Sequence, residues 1–461
     1  MSSIDTTPNT FIQGPLGALF AKTALPIIFV MSMNGLLAVV DALFLGLFVG
    51  SEAVGAVTLM FPAYMLIVAL AALVASGMSS QLARHLGGRR FDAARAVFAG
   101  AHGLAIAVAG GLILLFLIFG RQAVLAAADG SAALAGMGHT YLAITVFFSP
   151  LIFVLSVHSD ALRNEGRAGL MAAMSLLVSL ANIGFDYVLI GLMGLGVAGS
   201  AYGTALAQAL ALAIVLGFRL RGGTPLRPGD LLRHNPAAGW ARILALGAPQ
   251  SLNFIGVGLV SAAIIAALQM AAAESYATTV AAYGIVTRLL TFAFLPLLGV
   301  SQAMQSIVGN NFGAGHWRRS DESLRLGLAV ALVYCLVVEA ALAGFARPLG
   351  LMFVDGADVA GEVGRILPVM VAMYFAAGPL LMVGAYFQAI GDAGRAAVLG
   401  LAKPYAFSIP LIFVLPQAFG EPGIWLAGPA AELLLLGLTA AILARTARRK
   451  GLRWGMFKAG V

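Results

Sequence analysis

The sequence predicts an all-α membrane protein, and three observations support this fold class. Of the 461 residues, 61% are hydrophobic and 10% are charged, whereas soluble globular domains carry about 25% charged residues. Apolar runs long enough to cross a ~30 Å hydrocarbon core recur from end to end. Segments of the two halves also match at a nearly constant offset. We therefore expect twelve transmembrane helices in two six-helix lobes, related by a pseudo-two-fold axis along the membrane normal.

Glycine and proline mark most gaps between the apolar runs and so set the predicted helix ends. The expected helices are 22–50, 53–80, 93–119, 132–161, 166–191, 197–220, 239–270, 277–309, 321–346, 360–390, 395–418 and 422–446. Four short matches at offsets of 223 to 228 relate the halves, for example 161–168 (ALRNEGRA) with 389–396 (AIGDAGRA). The predicted organisation is an N-terminal lobe at 1–221, a polar cytoplasmic linker at 222–238 and a C-terminal lobe at 239–461.

The basic residues indicate the orientation of these helices. If the N-terminus is cytoplasmic, 22 of the 27 lysines and arginines fall on the cytoplasmic side, and only Arg121, Arg347 and Arg365 fall on the other. This asymmetry predicts cytoplasmic N- and C-termini. It also indicates that the basic residues behind the net charge of +8 contact anionic membrane lipids. The positive charge therefore does not imply binding to nucleic acid. The single cysteine, Cys335, excludes an internal disulfide.

The carboxylates within predicted helices include Asp41, Asp160, Asp186, Glu339 and Glu432. An acid inside a membrane costs on the order of 3 kcal/mol on insertion scales, so a deep one is by default a candidate functional residue. Asp160 precedes Arg163 by three residues near a helix end, and we expect the two to form an ion pair. The roles of Glu339 and Glu432 stay open.

Asp41 lies in the first apolar run and is the principal candidate. Asn34 precedes it by seven residues and shares its helix face. In the fifth helix, Asn182 and Asp186 are separated by four residues and also share a face. Thr204, in the sixth helix, carries a hydroxyl that faces either its own backbone or a cavity.

The internal repeat adds a further indication. The residues opposite Asp41, Asp186 and Thr204 in the second half are apolar, near Ile264, Val414 and Ala431. A merely structural requirement should tend to appear in both lobes. We therefore expect function to be concentrated in the N-terminal lobe.

Several short segments carry a resemblance to a known family: Leu25-Pro26 with Val40-Asp41, 83–87 (ARHLG), 162–167 (LRNEGR), 182–186 (NIGFD), 196–199 (GVAG), 282–285 (AYGI) and 387–391 (FQAIG). Over essentially its whole length the chain resembles MATE (multidrug and toxic compound extrusion) transporters, in particular the prokaryotic DinF-like branch. The glutamate that the NorM-like branch is implied to use on the seventh helix has no counterpart in 249–254 (PQSLNF). The family's basic residue of the eleventh helix is matched by Lys403.

The resemblance implies efflux of amphipathic, often cationic compounds across a bacterial inner membrane, driven by H⁺ or Na⁺ and without another cofactor. It implies that Asp41, Asn182, Asp186 and Thr204 couple the cation, as proton carriers or as ligands of Na⁺. The residues expected to line the substrate pocket are Asn34, Tyr141, Met31 and Met174. Methionine offers soft, adaptable surface that suits poorly matched ligands.

Two alternatives have other sequence requirements. A flippase of lipid or lipid-linked oligosaccharide should carry a strongly cationic cavity, whereas Arg288 and Lys403 are the intramembrane bases of this sequence. A membrane-embedded enzyme is disfavoured because the six histidines show no metal-ligand spacing. The expected partners are therefore small molecules and membrane lipids, with the protein as a monomer. Two interacting acids favour the proton, because a sodium site needs an ordered set of oxygen ligands.

Overall fold

The structure is a computed structural model that describes residues 9–128, 131–222, 224–271, 276–353 and 357–456. Within these ranges all secondary-structure elements are helical. A few side chains inside the ranges are not described, among them that of Asn34. The chain divides into two compact units, Met1–Ser251 and Leu252–Val461, and the boundary falls inside one long helix, α10.

The first unit begins with a short 3₁₀ turn at Thr10–Ile12. Its helices are α1 (Leu16–Phe48), α2 (Ser51–Leu59), α3 (Phe61–Gly87), α4 (Phe91–Ala127), α5 (Ala132–Phe147), α6 (Ser149–Asn164), α7 (Ala168–Asp186), α8 (Gly196–Leu220), α9 (Asp230–Arg233) and the first part of α10 (Trp240–Met270). A π-helical segment, Tyr187–Leu192, continues α7 directly after Asp186.

The second unit contains the rest of α10. Its other helices are α11 (Tyr276–Gly313), α12 (Trp317–Gly344), α13 (Ala346–Leu351), α14 (Ala357–Met370), α15 (Tyr374–Ala389), α16 (Ala393–Leu401), α17 (Ile409–Phe419) and α18 (Pro422–Lys450). A π-helical segment, Ala402–Ser408, joins α16 to α17 and contains Lys403 and Pro404.

The predicted spans agree with these helices. In the described ranges, ten helical segments are long and apolar enough to cross a membrane, and two bent helix pairs raise the number to twelve. The sequence predicts one continuous helix for each bent pair, at 132–161 and 360–390. Instead α5 and α6 meet at 47°, and α14 and α15 meet at 50°. The chain is therefore a multi-pass membrane protein whose all-helical fold class is confirmed.

Proline accounts for the local breaks. Pro150 lies in the first turn of α6, where its missing N–H removes the hydrogen bond that would continue α5. Pro62 has the same place in α3, so the run predicted at 53–80 is divided at Met60 into α2 and α3. Pro368 precedes the turn at 371–373 that separates α14 from α15.

Packing in the first unit brings three helices to the candidate site, because α7 lies against both α1 and α8. The expected ion pair of Arg163 with Asp160 is confirmed, at 3.0 Å. Part of the segment predicted as a linker is packed into this unit, since Thr224, Leu226 and Asp230 are buried. The division into lobes at 222–238 remains a prediction.

Candidate functional site

A cluster of polar side chains lies where α1, α7 and α8 meet in the first unit. Asp41 comes from α1, Asn182 and Asp186 from the last turns of α7, and Thr204 from α8. Asn182 and Asp186 are completely buried, each with 0% exposure. The spacing of four residues places both on the same side of α7, as the sequence predicts. The four residues predicted to couple the cation therefore lie together.

The Asn182 amide connects the other members of the cluster. Its hydrogen bonds are satisfied when its nitrogen donates to Asp41 Oδ1 at 2.7 Å and its oxygen accepts from Thr204 Oγ1 at 3.2 Å. This orientation is assigned from the surrounding donors and acceptors. It gives Asp41 one hydrogen-bond donor and directs the amide oxygen toward Thr204.

Asp186 has no such donor. Neither of its carboxyl oxygens has a hydrogen-bond partner within the described residues. Its polar neighbour is the carboxyl group of Asp41, which lies within hydrogen-bonding reach. Two ionised carboxylates only accept hydrogen bonds and repel each other, so they form a hydrogen bond only when one of them carries a proton. The pair therefore requires a shared proton or a cation.

Gly203 on α8 makes room for the Asp186 carboxyl group. A Cβ added at this position would overlap Asp186 Oδ1. The close approach of the α8 backbone thus holds the carboxyl group at the junction of the helices. Gly203 was not among the residues predicted from the sequence, although it directly precedes Thr204.

Two tyrosines lie near the acids. Tyr141 on α5 lies within electrostatic range of both Asp41 and Asp186. Tyr64 on α3 lies within electrostatic range of Asp41. Tyr141 was predicted to line the substrate pocket, and that role remains a prediction. Tyr64 was missed, although a tyrosine within an apolar run is itself a signal, because its hydroxyl needs a partner in lipid.

The predicted pocket methionines lie apart from the acids. Met31 precedes Asp41 by ten residues on α1, and Met174 precedes Asp186 by twelve on α7, which is roughly 15 to 18 Å along the helices. Both side chains are partly buried. The side chain of Asn34 lies outside the described part of the structure. The assignment of these three residues to substrate remains a prediction.

The acids of the second unit are paired differently. Glu432 on α18 is buried and forms an ion pair with Lys403. Glu339 on α12 accepts a 2.6 Å hydrogen bond from the backbone N–H of Phe375, in the first turn of α15. It thereby caps a helix that begins at a bend in the chain.

Comparison with known proteins identifies the family. The MatE family model matches residues 26–188 and again 252–414. The second match begins and ends 226 residues after the first, which confirms the internal repeat. The FAD transporter of Shewanella oneidensis is 25% identical over 94% of this chain and 95% of its own length. The multidrug export protein MepA of Staphylococcus aureus is 24% identical over 90% of each chain.

Solved structures share the fold. One is an outward-facing conformation of a multidrug resistance MATE family transporter, with a TM-score of 0.85 and 21% identity, covering 94% of this chain and 96% of that one. A MOP superfamily transporter from Pyrococcus furiosus is similar to the same extent, with a TM-score of 0.85. With both halves matched, the chain belongs to the MATE family, whose members are transporters and not enzymes.

Proposed function

We propose that this protein exports small amphipathic organic cations in exchange for protons, with Asp41 and Asp186 as the coupling pair. Asn182 and Thr204 position the pair. The proposed location is a bacterial inner membrane with both termini in the cytoplasm, as the distribution of basic residues predicts. The functional protein is a monomer with lobes at 1–221 and 239–461 joined by the segment 222–238.

The observation that supports this proposal is the buried Asp186 carboxyl group, which faces Asp41 and has no other hydrogen-bond partner among the described residues. When the pair is deprotonated, two negative charges in a low-dielectric site attract an organic cation. When a proton binds, the charge falls and the two carboxyl groups bond to each other. Proton and substrate thus compete for the same pair, which is the requirement for antiport.

The facing acids support the proton over sodium. A sodium ion at this place would need a complete set of oxygen ligands directed toward it. The Asn182 amide could supply one of them only with its oxygen toward Asp41, and its orientation is assigned from its neighbours. A shared proton needs only the two carboxyl groups.

The relatives limit the substrate class. The similarity to the multidrug export protein MepA supports small drug-like molecules as substrates. Adaptable side chains such as Met31 and Met174 suit a mixed set of such molecules. The Shewanella relative is named for FAD, which carries phosphate groups. Because Asp41 and Asp186 disfavour an anion in a low-dielectric site, we propose that cations are exported and flavin nucleotides are not.

Uptake of ethidium into inside-out vesicles tests the proposal. A proton gradient, interior acidic, should drive accumulation, and a sodium gradient alone should not. Asp41→Asn and Asp186→Asn should each abolish it. Asp92→Asn, a matched change at a side chain that is 93% exposed, should leave it intact.

Accumulation driven by sodium and unaffected by the proton gradient would contradict the proton assignment. Full activity in both site variants would contradict the site itself. Transport of FAD in place of ethidium would contradict the substrate class.

A further inference from the structure

The second unit contains a cavity of about 600 Å³ at the end where α18 terminates. Its walls come from the α11–α12 turn, the α15–α16 turn and the chain that follows α18. Three aromatic side chains line it, namely Phe312, Trp317 and Tyr386. The rings of Phe312 and Trp317 meet edge to face at 4.7 Å. Its volume lies within the range of about 300–1,000 Å³ typical of small-molecule sites.

The repeat identifies the counterpart of this cavity in the first unit, where side chains of the protein fill the space. Arg219 is 0% exposed there and lies over the Phe98 ring at 5.2 Å. Its guanidinium donates to Glu165 at 3.1 Å and to His158 Nδ1 at 3.0 Å. Leu226, from the segment after α8, is also completely buried. In the first unit, therefore, a cation surrounded by an acid and aromatic rings occupies this place.

In the second unit a threonine of α18 takes the place of Arg219. At offsets of 227 and 228, Thr446 corresponds to Arg219 and Tyr386 corresponds to His158. Thr446 is shorter, and its hydroxyl donates to the carbonyl of Ile442 in its own helix at 2.8 Å. No equivalent of the Arg219 guanidinium is therefore supplied by the second unit at this position.

Ser320 is a polar group of the cavity wall that is left unpaired. It is 1% exposed, and its hydroxyl has no hydrogen-bond partner among the described residues. The corresponding residue in the first unit is Ala94, which carries no hydroxyl. A buried hydroxyl without a partner costs about 1–3 kcal/mol. A ligand in the cavity would remove that cost.

The charges of the wall favour a cationic ligand. Arg395 is engaged by Asp392 at 2.6 Å and lies over the Phe387 ring at 4.5 Å. Asp321 is then the wall carboxylate that faces a ligand, with Arg325 one turn further along α12 as its basic neighbour. The corresponding residue in the first unit is Arg95, so the charge at this position is reversed where the cavity is open.

We propose that the cavity is a binding site for a small organic cation with an aromatic or apolar body. The cationic group contacts Asp321, the Ser320 hydroxyl forms a hydrogen bond with a polar substituent of the ligand, and the body packs against Phe312, Trp317 and Tyr386. Aromatic rings favour such a ligand because their faces attract cations. This site lies in a different unit from the proposed transport site and does not depend on it.

Equilibrium binding of ethidium to the purified full-length protein tests the proposal. The Asp41→Asn/Asp186→Asn double variant removes both carboxylates of the proposed transport site, and we expect it to retain about one bound ethidium per chain. In that background Asp321→Asn should weaken the remaining binding by about five- to tenfold, as expected for loss of a partly buried charge pair. Ser320→Phe should fill the cavity and abolish the remaining ethidium binding. Asp358→Asn, at an exposed acid of the same unit, is the matched control and should change nothing.

Binding that is insensitive to both cavity variants would overturn the proposal, as would the absence of bound ethidium in the Asp41→Asn/Asp186→Asn variant. If Ser320→Phe does not fold, Asp321→Asn decides the question, because it preserves shape and removes only the charge. A failure of the transport proposal has a different signature, since it appears as proton-independent export and not as a loss of this binding.

Discussion

The candidate functional acids of the first unit and the intrahelical acids of the second unit differ in what balances their charge. In the second unit, Glu432 is paired with Lys403, and Glu339 accepts the backbone N–H of Phe375. In the first unit, Asp186 faces another acid, Asp41. A buried charge that already has a partner needs no ion from outside, whereas an acid pair does. Among these acids, within the described residues, the Asp41–Asp186 pair is the one whose charge is left for an external cation to balance.

The largest effect on export is expected from a substitution that displaces Asp186. Gly203→Ala should lower export by about tenfold or more, because the new Cβ overlaps the Asp186 carboxyl group and displaces it. A displacement of about 1 Å at a reacting group is enough to lower a rate by this much. Gly217→Ala lies on the same helix with open space around its Cβ and serves as the control. Export in vesicles, normalised to the amount of inserted protein, is the measurement. Equal rates for the two variants would show that the close packing of α8 is not required.

The ion pair of the second unit offers a test on stability. Lys403→Met or Glu432→Met alone should destabilise the protein by roughly 1 to 3 kcal/mol, because each leaves one charge unpaired within a span. The double variant should recover most of this loss, and it should retain proton-dependent export. Thermal unfolding of the purified variants provides the readout. A double variant that is stable but no longer coupled to protons would mean that the second unit also takes part in coupling.

A smaller effect is expected at Glu339. Glu339→Gln keeps an oxygen for the N–H of Phe375 and loses only the attraction of a negative charge to the helix N-terminus, about 0.3–1 kcal/mol. Glu339→Ala also removes the acceptor and should cost more. Both variants should export ethidium at close to the normal rate. Loss of export in Glu339→Gln with an unchanged melting temperature would assign this acid a functional role.

Relations along one helix were predictable from the sequence. The spacing of Asn182 and Asp186 placed both on one face of α7, and the pair formed by Asp160 and Arg163 required only a separation of three residues. The spans followed from hydropathy, because a backbone in lipid must satisfy its own hydrogen bonds. Local chemistry therefore determined the elements and the residues that share a face.

Relations between helices were not predictable in the same way. Nothing in the spacing indicates that Gly203 packs against Asp186, that Lys403 reaches Glu432 or that Arg219 joins Glu165. These contacts depend on which helices meet and at what depth, which is set by the packing of whole faces. The bends of 47° and 50° were missed for a related reason, since proline is tolerated in some spans and breaks others.

Competition between protons and a cationic substrate tests the central claim most directly. Ethidium affinity should be measured on the purified protein with the Asp321→Asn substitution, from about pH 5.5 to about 8.5, with and without sodium. Because the deprotonated Asp41–Asp186 pair attracts the cation, affinity should rise with pH, and adding both Asp41→Asn and Asp186→Asn should remove this dependence. Sodium should have no effect beyond ionic strength. An affinity that is constant with pH and falls with sodium would contradict the account, because the pair would then be acting as a sodium site.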